Sequence, residues 1–208
     1  MKVMILIIGE TLTEFYPLEG EIGDEDCYTC RMGGSLLEAA YWLEDSGIKN
    51  IMLASKFSHD NIGENCYSAL EDLGFDIAKL DKSPLLSPVD IIGDIRLRGT
   101  AASTITTEEL TELLYEAKPD AIVLTSPLLS LNPSASSIVD SVLFFTPAPL
   151  IIVDLGDNPT AIVSLEILKD SLNKLATSDK AYCIGDAVES KIKKISRDGA
   201  LEKLKSIK

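Results

Sequence analysis

The sequence predicts an α/β protein, a mostly parallel sheet flanked by helices. Three observations carry that expectation. Apolar strand-like runs alternate with stretches of helical periodicity along the 208 residues, the pattern of a sheet built from strand and helix units. The opening run, Met1 to Ile8, is apolar apart from Lys2 and ends at Gly9 and Glu10, as a buried parallel strand does. Gly33 and Gly34 then open a helical run with Leu36, Leu37, Ala40 and Leu43 on one stripe, closed by Gly47. A glycine pair permits close backbone approach and the helix behind it offers unpaired N–H groups, so a polar ligand is one expectation for this turn. A plain strand-to-helix connection is the other.

The remaining elements follow in order. Phe15 to Cys30 lacks helical periodicity and is broken by Pro17, Gly20 and Gly23, so it is placed in a small β excursion. Ile51 to Ala54 is a core strand. Asp60 or Asn61 caps a helix to about Leu73, stopped by Gly74, and Phe75 to Ala78 is a short strand. Segment 86–106 carries alternation through Ile91, Asp94, Ile95, Arg96, Leu97 and Arg98, a second β excursion outside the main sheet. Thr106 or Thr107 caps a helix to Ala117, with Glu108 and Glu109 in its first turn. Ala121 to Leu124 and Leu150 to Val153 read as strands, with a helix from Pro133 to Phe144 between them. A helix to about Ala176, a strand from Ala181 to Ile184, a helix beginning near Asp186 and a last helix from Asp198 to Ile207 complete the expectation.

Composition bounds the partners. With 46% apolar and 25% charged residues the chain suits a soluble globular protein, taken as a single domain over 1–208. The opening apolar run is too short to span a bilayer and lacks a cleavage pattern, so no membrane association and a cytoplasmic location are expected. Cysteines at 27, 30, 66 and 183 then read as reduced thiols. Cys27 and Cys30 form a C-x-x-C pair, but without a second pair or a neighbouring histidine neither a zinc nor a thioredoxin-like site is expected, and Tyr28 and Thr29 between them suggest strand. A net charge of −14 and a pI near 4.4 argue against nucleic acid. They also oppose unassisted nucleotide binding, but not a neutral sugar. Lys191, Lys193, Lys194 and Arg197 read as the solvated face of a terminal helix.

Several of these residues fall in one arrangement: Gly9, Glu10 and Glu14, then Gly33 and Gly34, then Glu38, Ala39, Ala40 and Gly47, followed by Ser58, Asp60 and Gly63 and by Ala69, Leu70 and Gly74. The arrangement resembles the ribokinase-like carbohydrate kinases of the PfkB family. The resemblance implies a three-layer ribokinase-like fold whose two β excursions, about 15–30 and 86–106, pair into a lid that covers the sugar and forms a homodimer contact. It implies a sugar site at Glu14, Gly33, Gly34 and Glu38. Glu14 stands where the family has aspartate and Glu38 where it has asparagine. Two nearby carboxylates repel, so one holds a proton, a cation sits between them, or Glu38 swings to solvent.

The family's catalytic base ends a late glycine-alanine-glycine-aspartate motif that forms an anion hole. After Gly185 the only glycine is Gly199, so no catalytic residue is assigned, and the chain reads as ending before the nucleotide-binding third. Asp157, in Asp154-Leu155-Gly156-Asp157, imitates the motif too early and is taken as a decoy. Asp186 and Glu189 match the family's asparagine, two residues, glutamate element with Asp for Asn. On a helix they share a face and hold Mg²⁺ weakly, or else simply form an acidic N-terminal turn. No Walker-type loop exists. His59, beside Ser58 and Asp60, lacks the nucleophile elbow of a hydrolase and reads as a turn residue. The expectation is a degenerate sugar or small-molecule binder without phosphotransfer of its own, with ATP and Mg²⁺ as cofactors only if it is an active kinase completed by another chain. An interaction protein without a ligand is the third reading.

Overall fold

The computed structural model describes residues 3–17, 28–91, 93–156, 161–186 and 188–207. The first half runs β1 (Ile5–Ile8), β2 (Leu12–Pro17), β3 (Tyr28–Gly33), α1 (Ser35–Asp45), β4 (Ile51–Ala54), α2 (Asn61–Asp72), β5 (Asp76–Ile77), β6 (Val89–Ile91) and β7 (Asp94–Arg96). A 3₁₀ turn at Ala101–Thr104 leads to α3 (Thr107–Ala117), β8 (Ala121–Thr125), α4 (Ser126–Leu129) and α5 (Ser134–Phe144). The chain continues through β9 (Leu150–Asp154), α6 (Leu165–Leu175), β10 (Ala181–Ile184), β11 (Lys193–Ile195) and α7 (Arg197–Lys205).

Seven strands form one parallel sheet in the order β11-β10-β9-β8-β1-β4-β5. Because helices cover both faces, its central strands are unbroken apolar runs rather than alternating, with polar residues only at the carboxyl ends of β8 and β9, Thr125 and Asp154. Ile5 and Ile7 point to one face, where they pack with Leu36, Ala40 and Leu43 of α1, Cys66 and Leu70 of α2 and Leu204 of α7. Leu6 and Ile8 point to the other, toward Leu110 and Leu114 of α3, Ile138 and Val142 of α5 and Leu168 and Leu172 of α6. Each such side chain contributes roughly 1.5–3 kcal/mol by leaving water. Two helical layers around one sheet are thus the three-layer α/β architecture expected from the alternation.

The two β excursions meet in a second, four-stranded sheet, β3-β2-β6-β7. β2 pairs antiparallel with β3, setting Glu14 opposite Arg31, and parallel with β6, setting Glu14 opposite Asp90. Asp60 ties this small sheet to the large one. It caps α2 by accepting from Gly63 N–H at 2.8 Å, and it also accepts from Ser87 Oγ and Ser87 N–H at 2.6 and 2.7 Å at the foot of β6. Burial pushes its carboxyl up, but those hydrogen bonds outweigh burial and hold it below the usual range. The Ser58, Asp60, Gly63 motif is therefore an N-cap that also anchors the small sheet. His59 is exposed in the turn beside it.

The expected helix near Asp186 is not formed. Val188, Ile192 and Ile195 are spaced as on a helix, but Val188 and Ile192 enter the core on one face of the sheet while Ile195 packs on the other. The sheet thereby gains β11 at its edge, parallel to β10. Lys193 and Lys194 consequently belong to a strand, not to the face of a terminal helix, and Arg197 is the first residue of α7. Asp157 and Cys27 lie outside the described residues; Cys30 is an exposed thiol of β3.

Buried serines fasten the layers on the α3–α6 side. Ser134, fully buried, donates to Ala102 O at 2.7 Å and accepts from Ile105 N–H at 3.0 Å. Ser126 Oγ donates to Leu155 O, and Ser171 Oγ to Leu129 O, both at 2.9 Å. An unpaired buried polar group costs about 1–3 kcal/mol. Ser134→Ala is therefore expected to lower unfolding free energy by about that much in urea titration, while Ser136→Ala, at an exposed position of the same helix, stays within about 0.5 kcal/mol.

Candidate functional site

From β1 the chain steps outward to β4 and β5, then crosses back to β8 on the other side of β1. The carboxyl ends of β1 and β8 therefore diverge into a crevice, the place where open α/β sheets receive ligands. Here the crevice is roofed by the small sheet. Glu10, Leu12, Glu14, Gly34, Ser35, Glu38, Asp90, Ile95, Ser126, Leu155 and Gly156 line a cleft of about 70 Å³.

Glu10 occupies the centre of this edge. It is 2% exposed and accepts from Ser35 N–H at 3.0 Å, Ser35 Oγ at 2.5 Å and Thr125 Oγ1 at 3.0 Å. Its backbone carbonyl accepts from Leu36 N–H at 3.2 Å. The first N–H groups of α1, expected to be open to a ligand, are thus taken by Glu10, that of Ser35 by its carboxylate, which sits where the helix dipole favours an anion, and that of Leu36 by its carbonyl. Burial pushes the Glu10 carboxyl above its ordinary range, and the bonds from Ser35 and Thr125 offset this only in part.

The glycine pair serves the same junction. Gly34 caps α1 at φ 101°, and a Cβ there would stand 2.6 Å from Glu10 O. No L-residue tolerates both the conformation and the contact. Gly33 lies beneath Glu14, whose Oε1 occupies the space a Cβ would need. Of the four expected substrate residues, Glu14, Gly34 and Glu38 line the cleft, and Gly33 supports Glu14 from behind.

Glu14 and Glu38 share the cleft, and Arg31 of the small sheet answers Glu14 directly. Arg31 Nε donates to Glu14 Oε2 at 2.7 Å, and Tyr16 OH donates to the same oxygen at 2.6 Å. Arg31 also lies 4.6 Å over the Tyr16 ring. Both bonds leave Oε1 directed at the Gly33 side. Glu38 is exposed at the rim. Arg31 and Asp90 escaped the sequence reading, because only the register of β2 with its two neighbours brings them beside Glu14.

The expected metal pair is not assembled. With no helix at 186–189, Asp186 and Glu189 share no face, and Asp186 accepts from Lys194 Nζ at 2.6 Å. Among the described residues no group of three His, Cys, Asp or Glu side chains is placed to hold a metal ion. No described helix is long and apolar enough to cross a membrane.

The raised Glu10 carboxyl sets a pH dependence. A group bound more tightly to its proton in the folded state stabilises fully below its unfolded value of about 4.5, and that contribution is lost as pH rises through the folded value. Glu10→Gln keeps an acceptor for Ser35 and removes the charge. It is expected to gain stability over the parent between pH 5 and 8, by denaturant titration, with the gain vanishing toward pH 4. Glu10→Ala instead leaves buried donors unpaired and costs about 1–3 kcal/mol for each.

No family profile matches the chain, and no curated protein matches it. Solved structures do. A PfkB protein from Polaromonas sp. JS666 superposes with a TM-score of 0.66 at 18% identity, covering 88% of this chain and 65% of its own. Fructokinase from Vibrio cholerae O395 gives 0.66 at 13% identity, over 88% and 64%. The 2-dehydro-3-deoxygluconokinase of Thermotoga maritima gives 0.65 at 14% identity, over 91% and 62%. This chain spans less than two thirds of the length of each. Together with the parallel sheet, the crevice between β1 and β8 and the roofing small sheet, these likenesses identify the fold as that of the PfkB-family sugar kinases.

Proposed function

We propose that this chain binds a sugar or similar polyhydroxylated small molecule in the cleft between the sheet edge and the small sheet, and that it does not by itself transfer phosphate from ATP. The observation that carries the reading is the lining. Glu14, Glu38 and Asp90 supply acceptors and Ser35 and Ser126 supply hydroxyls around one crevice at the strand-order reversal. Hydroxyl groups are met by carboxylate oxygens, and each such charged hydrogen bond is worth about 1.5–3 kcal/mol. The cleft holds about 70 Å³, below the roughly 300–1,000 Å³ of usual small-molecule pockets. Ligand entry therefore involves outward displacement of the small sheet, which would act as a lid.

The absence of phosphotransfer rests on chemistry. The only glycine after Gly185 is Gly199, inside the first turn of α7, and its N–H donates to Ser196 Oγ at 3.1 Å. That helix start is capped by its own serine, and Asp198 beside Gly199 follows no glycine-rich turn. A second reading, an active sugar kinase completed by another chain, draws on the likeness to a Pyrococcus horikoshii sugar kinase solved in complex with ATP. A third, an interaction protein without ligand, draws on the narrow cleft and on Gly34 packed against Glu10. A reducing cytoplasm is also proposed, where the free thiols Cys30, Cys66 and Cys183 stay reduced.

We also infer a homodimer through the lid. Phe15, Tyr28, Cys30 and Ile91 share the lid face turned away from the cleft, and Tyr28 and Ile91 are 44% and 36% exposed. A small sheet with an apolar face is covered at once by a second copy. Light scattering at micromolar concentration is expected to give a dimer, and Ile91→Arg a monomer; a monomeric parent protein would refute the inference.

A thermal-shift screen of neutral sugars is expected to find at least one that raises the melting temperature, since a ligand preferring the folded state must stabilise it. Glu14→Gln and Asp90→Asn should each weaken that ligand about tenfold or more, equivalent to about 1.4 kcal/mol. The purified chain with ATP and the same sugar is expected to turn over far below about 1 s⁻¹. Turnover at that rate favours the kinase reading, and no stabilising sugar favours the third.

A further inference from the structure

At the opposite end of the sheet, where β8, β9 and β10 begin, a separate groove of about 420 Å³ opens. Its walls are apolar: Tyr115, Pro119, Phe145, Pro147, Pro149 and Ile207. Tyr115 is 56% exposed and forms an edge-on ring pair with the buried Phe145 at 5.6 Å, which leaves part of an aromatic ring accessible at the groove. Three charged residues reach the same groove, Lys118, Asp120 and Lys180. One oxygen of Asp120 accepts from Met4 N–H at 2.8 Å while its backbone joins the start of β1, so the carboxylate is held toward that strand and the two lysines outnumber it. Lys180 Nζ donates to Ala148 O at 2.7 Å, an arrangement that fixes the ammonium on the wall and leaves it further donors. The groove therefore carries two ammonium groups in a protein whose net charge is −14.

Lys118 adds an independent observation. It is the one non-glycine residue at positive φ among the described residues, at φ 47° and ψ 57°, ending α3 with its N–H on Leu114 O. Glycine or asparagine normally stands at such a left-handed helix terminus, because a Cβ there is strained. The helix dipole rewards a cation anywhere in the last turn, so it does not explain a lysine at this strained position. What the position does accomplish is to place Lys118 on the wall of the groove.

We propose that this groove binds a small organic anion with a planar aromatic body, the ring lying on Tyr115 and the prolines and the acidic group between Lys118 and Lys180. The site is remote from the cleft and does not depend on what the cleft binds. Naphthalene-2-carboxylate, titrated into the full chain and followed by calorimetry and by NMR, is the probe, with 2-naphthalenemethanol as the uncharged control. Saturable binding of the carboxylate, at least tenfold tighter than the alcohol, is expected. The double variant Lys118→Gly, Lys180→Gln should lose that tenfold preference and bind the two probes alike. Lys118→Gly alone should melt higher than the parent, since it relieves the left-handed strain, so weakened binding cannot be ascribed to unfolding. No saturation at millimolar probe, equal binding of acid and alcohol to the parent, or a preference that survives both substitutions would overturn the proposal.

Discussion

Glu10 is a carboxylate buried where three elements meet, and the arrangement of the sheet edge depends on it. Its side chain receives the first N–H and the hydroxyl of α1 through Ser35, and the hydroxyl of Thr125 at the end of β8. β1, α1 and β8 are thereby joined at the point where the strand order reverses. Desolvating a carboxylate is costly, and only because every donor around it is aimed inward does the junction hold. The glycine pair follows from the same constraint, since Gly34 lets the chain pass within contact of the Glu10 carbonyl.

This junction changes the meaning of the helix N-terminus. In an open α/β fold that terminus is a ready place for a ligand's negative charge. Here the charge is internal, and what the cleft presents to solvent is instead a set of acceptors: Glu14, Glu38 and Asp90. Anionic ligands are disfavoured in such a cleft, and hydroxyl-bearing or cationic ones are not. Arg31 and Tyr16 temper the field by engaging one oxygen of Glu14. The two ends of the sheet thus differ in charge, carboxylates at the carboxyl edge and lysines beside the groove at the amino edge.

The small sheet is held by a different device. Asp60 caps α2 and binds the backbone and side chain of Ser87, so the small sheet has a fixed foot on the large one. Lys56, buried and paired with Glu109, joins the end of β4 to the capping box of α3. Burial alone would raise the Glu109 carboxyl, but Lys56 and Thr106 hold it below the usual range. Helix caps in this protein thus double as joints between layers.

By itself the sequence determined the architecture: strands buried on both faces are written as unbroken apolar runs, helices as stripes with Asp60, Thr106 and Gly47 at their ends, and both signals are local. Glu14, Gly34 and Glu38 were legible as neighbours of one crevice because their spacing resembles that of a known fold. Only the tertiary structure decided the rest. Glu10 as the helix-terminal anion, Arg31 and Asp90 beside Glu14, and the buried serines all depend on partners distant in sequence, supplied by strand register and layer packing. The segment after Asp186 shows the limit most directly. Its apolar spacing fits a helix, but an open edge beside β10 gave its backbone a parallel partner, and residues that would form one helical stripe were divided between the two faces of the sheet.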